Sequence, residues 1–157
     1  MLRLAPATML VFGLAVATCA QAARAVACPA AAASAAEDRT AKLADWPAVA
    51  AFHDRFQACD DGAIAEGLSD AIGRLLSHPR PEVDVLRRLA RSHPGLEAFV
   101  QRHVDASLPD AALARIAEQL PSRCDARSLP LCRRLAGAAR HAMAERPGLS
   151  PASKAPS

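Results

Sequence analysis

Residues 59–76 read CDDGAIAEGLSDAIGRLL, and this run decides the fold. Ile64, Leu68, Ile72, Leu75 and Leu76 recur every three or four residues, the spacing of a single apolar helical face. Inside the same run stand Gly67 and Gly73, and each glycine in a helix interior costs about 1 kcal/mol relative to alanine. With Ala63, Ser69 and Ala71 they form a small-residue surface beside the apolar stripe. Such a surface admits another backbone at close range, from a neighbouring helix of the same fold or from a partner; packing within the fold is the reading preferred here. Asp60 and Asp61 open the run as helix caps, where carboxylates accept from free backbone N–H groups and meet the positive end of the helix dipole. Glu66 and Asp70 lie one turn apart, and Arg74 follows Asp70 at i+4 as a favourable ion pair.

Working outward, proline and polar residues punctuate further amphipathic segments. Upstream, DWP at 45–47 offers an N-cap Asp and a first-turn proline, and Val49, Phe52, Phe56 and Cys59 share one face. Downstream, a helix starting near Pro81 carries Val85, Leu86 and Leu89. Leu96, Phe99, Val100, His103 and Val104 form the next. SLPD at 107–110 resembles a capping box before Leu113, Ile116 and Leu120, and SLP at 128–130 opens a last helix through Leu131, Leu135, Ala139 and Met143. No segment alternates with period two, so no sheet is expected. The expectation is an all-α fold, a compact orthogonal or solenoid-like bundle of about six short helices over residues 45–143. Aromatics make up only 3% of the chain and tyrosine is absent, which suits closely packed helices of Leu, Ile, Val and Ala.

The chain's ends indicate export. Arg3 followed by the apolar run MLVFGLAVAT at 9–18, too short for a typical spanning helix, and AQA at 20–22 predicts a signal peptide over residues 1–22, cleaved after Ala22. VATC, ending at Cys19, offers the rival of lipidation and a membrane tether. Residues 23–44 are alanine-rich with few large apolar side chains and are read as a spacer; residues 144–157, rich in proline and serine, are read as a disordered tail. Four cysteines remain in the mature chain, Cys28, Cys59, Cys124 and Cys132, an even number suited to an oxidising compartment. Cys124 with Cys132 across a short polar loop is the preferred pair, which leaves Cys28 with Cys59. Three connectivities are open on spacing alone, and a free buried thiol at Cys59 is the alternative.

Several chemistries are disfavoured. The net charge of +3 falls to +2 without Arg3, and no basic cluster alternates with aromatics, so no nucleic-acid footprint exists; RRLAR at 87–91 reads as the wet face of a helix. CDDG fails as a calcium loop, because taking Gly62 as the sixth position places Cys59 third and Leu68 twelfth, where oxygen donors are needed. No C-x-x-C or clustered Cys/His spacing suggests zinc. GLSDA at 67–71 lacks the second glycine and the preceding strand of a nucleophile elbow. His78 and His93 precede prolines at helix boundaries, His103 lies on an apolar stripe and reads as a hydrogen-bonded, partly buried histidine rather than a ligand, and His53 with Asp54 reads as a surface pair. No cofactor or metal is implied.

CDDGAIAEGLSDAIGRLL, the upstream WPAVAAFHDRF and the C-x7-C ending in LC at 131–132 together resemble small exported bacterial proteins of unassigned function, over residues 46–140. An aromatic at position 68 and CP at 124–125 would be expected from that resemblance, where this chain has Leu68 and Cys124-Asp125. The resemblance implies no activity and carries over no catalytic residue. The functional expectation is an exported, non-enzymatic helical binding protein, an inhibitor or immunity protein by analogy, whose partner is another protein of the cell envelope. Glu66, Ser69, Asp70 and Arg74 are its expected polar contacts. The alternatives are an envelope-tethered structural lipoprotein anchored through Cys19, and an enzyme drawing on Glu66, Asp70 and His53 or His103.

Overall fold

A computed structural model describes residues 27–146, so the signal peptide, Cys19, the start of the spacer and the tail from residue 147 lie outside the described residues. The described residues form an all-α fold without strands. Its helices are α1 (Ala30–Thr40), α2 (Trp46–Phe56), α3 (Gly62–Ser77), α4 (Val83–Leu89), α5 (Leu96–Arg102), α6 (Asp110–Gln119) and α7 (Leu129–Ala144). Short 3₁₀ turns follow α2 at Gln57–Cys59 and α6 at Leu120–Arg123.

The starts of α2 and α3 follow the sequence reading. Asp45 caps α2 by accepting from the Ala48 amide at 2.8 Å, with Pro47 in the first turn. Asp61 caps α3 by accepting from the Gly62 amide at 2.8 Å. Gly62 itself has φ +52°, in the left-handed region that favours glycine. Two starts differ. Asp60 caps nothing and turns inward to other partners. Ser107 does not cap α6: its hydroxyl donates to Asp105 at 2.5 Å and the helix begins after Pro109 with no side-chain cap.

α3 runs through the middle of the molecule, packed against α1 on one side and α6 on the other, while α6 lies along α7. The two α3 glycines are both met by neighbours. A Cβ on Gly67 would stand 3.0 Å from Thr40 on α1, and one on Gly73 would stand 2.5 Å from a Leu108 methyl just before α6. Packing within the fold therefore accounts for both. Leu68, Ile72 and Leu76 of α3 are fully buried with Phe52, Phe99, Leu113 and Ile116, and the Trp46 indole N–H donates to the Pro81 carbonyl at 2.9 Å.

The expected spacer needs correction. Residues 30–40 form α1, which belongs to the packed body: Ala36, Thr40 and the following Leu43 are buried. A disulfide between Cys28 and Cys59 fastens its start to the entrance of α3, and a second joins Cys124 to Cys132. This is the expected connectivity, and such bridges form and persist in oxidising compartments. Among the described residues no helix is long and apolar enough to cross a membrane.

Candidate functional site

The four residues expected as polar contacts do not share one surface. Glu66, Asp70 and Arg74 are exposed on α3, and Arg74 pairs with Asp70 as its i+4 spacing predicts. Ser69 is only 2% exposed. Its hydroxyl donates to Asp105 Oδ2 at 2.9 Å and lies 3.1 Å from His103 Nδ1. No hydrogen bond or ion pair links Glu66 or Asp70 to His53 or His103. Among the described residues no three His, Cys, Asp or Glu side chains gather as a metal site.

Ser69 instead marks a buried polar joint that spacing alone does not reveal. His103, 4% exposed, follows α5 and presents its Nε2 to Asp60 Oδ1 at 3.2 Å. Arg102 donates to the other oxygen of Asp60 at 3.1 Å. Asp105 accepts from Ser69 and also from the Ser107 amide at 2.7 Å and the Ser107 hydroxyl. The joint thus ties the entrance and middle of α3 to the exit of α5. Burial pushes the His103 pKa down; Asp60 opposes this, the Arg102 guanidinium reinforces it, and the net direction is below the ordinary histidine value. Burial alone would raise the Asp105 carboxyl, but donation from Ser107 and then Ser69 outweighs it and leaves Asp105 below the usual carboxylate range.

Asp60, His103 and Ser69 contain the groups of a hydrolytic relay, but their setting is that of a structural joint. A nucleophile must reach substrate beside free N–H donors for the developing oxyanion. Ser69 sits within α3, buried, and donates its own proton to Asp105.

Across Phe99 from His103 lies a histidine pair, His53 and His93, that shares Asp54. His53 is 3% exposed, so it is a core residue rather than the expected surface group. It meets the Phe99 ring edge-on at 5.1 Å, and Phe99 meets His103 at 4.8 Å. Asp54 binds His53 at 3.2 Å and His93 at 2.7 Å. Desolvation is the largest single influence and would raise the Asp54 carboxyl, yet the hydrogen bonds and charges of both histidines together hold it below its usual range.

Beside the buried joint a groove of about 730 Å³ opens between α5 and α7. Its floor is small and apolar, built from Ala98, Val104, Gly137, Ala138 and Ala142. Arg102 and Asp105 of the joint line it too, so the buried network sets one wall. Across the groove Arg134 of α7 binds Glu97 of α5 at 2.5 Å. Gly137 is the informative member. It sits in the middle of α7, and a Cβ there would meet nothing closer than an Arg140 nitrogen at 4.0 Å. Unlike Gly67 and Gly73, this glycine has no intramolecular neighbour to explain it. The one sequence signal for the groove is therefore a glycine inside the α7 pattern.

Compared with protein-family models, curated proteins and solved structures, the chain matches none.

Proposed function

We propose that this chain is an exported, non-enzymatic binding protein that seats an apolar, small-faced helix of another envelope protein in the α5–α7 groove. The observation that carries the reading is Gly137. A mid-helix glycine costs about 1 kcal/mol, and here the space it leaves opens onto the floor of the groove. With Ala98, Ala138 and Ala142 it lets a second helix approach closely, as small residues do at helix–helix contacts, while ion pairs such as Arg134–Glu97 form a polar rim. Export is supported by the signal-like residues 1–22 and the two disulfides.

The test is affinity capture from bacterial envelope extract with the oxidised mature chain as bait, run beside two variants. Gly137→Leu fills the groove floor without a backbone penalty and is expected to abolish capture of the dominant partner. The double variant Glu66→Lys/Asp70→Lys is expected to retain it. Loss in the double variant with retention in Gly137→Leu would move the contact surface to α3 and overturn the groove assignment. Capture of no partner by the native chain would overturn the binding reading itself.

A further inference from the structure

We propose that the Cys28–Cys59 disulfide is a redox latch: a dithiol entering the hollow at the α3 entrance opens it ahead of Cys124–Cys132 and frees the start of α1 from the body of the protein. The inference stands independently of what the α5–α7 groove binds.

Access carries the argument. A hollow of about 350 Å³ lies where α1 and α3 begin, and Cys28 and Cys59 both line it, together with Ala33, Gly62 and Ile64. Cys28 is half-buried, so the bridge meets solvent from that side, whereas Cys59 is 5% exposed. No side chain screens the bridge at position 62. The backbone there has φ +52°, which favours glycine, and a Cβ would find no atom within 4 Å. The second bridge is set differently. Cys132 is completely buried, and the hollow between the start of α4 and the loop before α7 is lined by Cys124 alone of the two. Cys124 and Cys132 are also only 8 residues apart, so after reduction they stay close and re-form their bond, whereas 31 residues separate Cys28 from Cys59.

The latch holds a helix that needs it. From Ala30 to Ala35 no residue of α1 is buried, the helix start at Pro29 has no side-chain cap, and the first turn carries no acid to meet the helix dipole. Among the described residues, the side-chain hydrogen bonds of residues 27–35 reach no other element. Burial begins only at Ala36, followed by Thr40 over Gly67 and by Leu43. Alanine contributes little burial energy, and an isolated helix of 11 residues is marginal in water. The bridge therefore fixes the first half of α1, and packing fixes the second.

The step balances as thiol–disulfide exchange. One thiolate of the dithiol attacks the sulfur of Cys28, the more exposed residue of the pair, forming a mixed disulfide and releasing Cys59, which takes up a proton. The second thiol of the reductant then attacks its partner sulfur in that mixed disulfide and departs with it as a disulfide, and Cys28 takes up the other proton. Two electrons pass from the dithiol to the bridge. With the bond gone, α1 frays from its start and uncovers α3 beside Ile64, while Ala36, Thr40 and Leu43 keep the far end docked.

The experiment treats the full mature protein under native conditions with graded dithiothreitol, alkylates the free thiols for mapping, and follows hydrogen exchange in parallel. Cys28 and Cys59 are expected to become alkylated at dithiothreitol concentrations about tenfold below those that expose Cys124 and Cys132. At that point the α1 amides are expected to exchange at least about tenfold faster with α6 and α7 unchanged, and reoxidation is expected to restore α1. A Cys28→Ser/Cys59→Ser variant, which needs no reductant, is expected to show the same exchange pattern. Opening of Cys124–Cys132 first or at the same concentration would overturn the proposal. So would an α1 that keeps its protection once the bridge is open or absent, an α1 that stays loose after reoxidation, or loss of protection in α6 and α7 together with α1.

Discussion

Glycines at three positions inside helices meet three different environments, and substitution separates them. At Gly73 the helix propensity gained by alanine, about 1 kcal/mol, competes with overpacking against the buried Leu108, which costs about 1–3 kcal/mol. Gly73→Ala is therefore expected to destabilise the protein by about 1 kcal/mol in urea unfolding. At Gly137 nothing opposes the new methyl, and Gly137→Ala is expected to stabilise by up to about 1 kcal/mol. Equal shifts at the two sites would show that Leu108 moves aside freely. The role of the α3 glycines was legible because a good apolar stripe ran past them. Gly137 was not, because what matters there is the space left open by another helix. Asp60 and Asp61 show the same limit. Adjacent acids before a helix both read as caps, yet Asp61 caps and Asp60 turns inward to Arg102 and His103, side chains more than forty residues away.

Among the elements, α1 was the least legible. An alanine-rich stretch carries little burial energy per residue, and an isolated helix of this length is marginal in water, so it reads as a spacer. What makes it part of the fold lies elsewhere in the chain: the Gly67 surface that receives Thr40, and Cys59, which bonds Cys28. Replacing Cys28 and Cys59 by serine opens a link between residues 31 apart and is expected to cost about 3–4 kcal/mol, with α1 losing its hydrogen-exchange protection first. Replacing Cys124 and Cys132, only 8 apart, is expected to cost about 2–3 kcal/mol and to leave α1 protected. Full protection of α1 after removal of the Cys28–Cys59 bridge would show that packing alone holds it.

At the scale of the whole molecule, the helical punctuation prescribed the architecture well. Proline-marked turns and period-3.6 stripes located α2 to α7, and the even cysteine count fitted both bridges. The candidate site was far less visible. Its two walls, α5 and α7, are separated by α6 and come together only through tertiary packing. The joint likewise draws Asp60, Ser69, His103 and Asp105 from places that no local spacing connects. The sequence therefore pointed to α3, the helix with the strongest pattern, whereas α3 is mainly a packed centre between α1 and α6 and contributes no residue to the groove's lining. The central claim is that the groove floor meets a partner. It is tested most directly by placing a photo-crosslinking benzoylphenylalanine at His141, an exposed position at the groove's edge that leaves the floor open, or, separately, at Glu66, in the mature protein within the bacterial envelope. Illumination is expected to give one adduct of defined mass from position 141 and none from position 66; an adduct from position 66 alone, or from neither, would contradict the account.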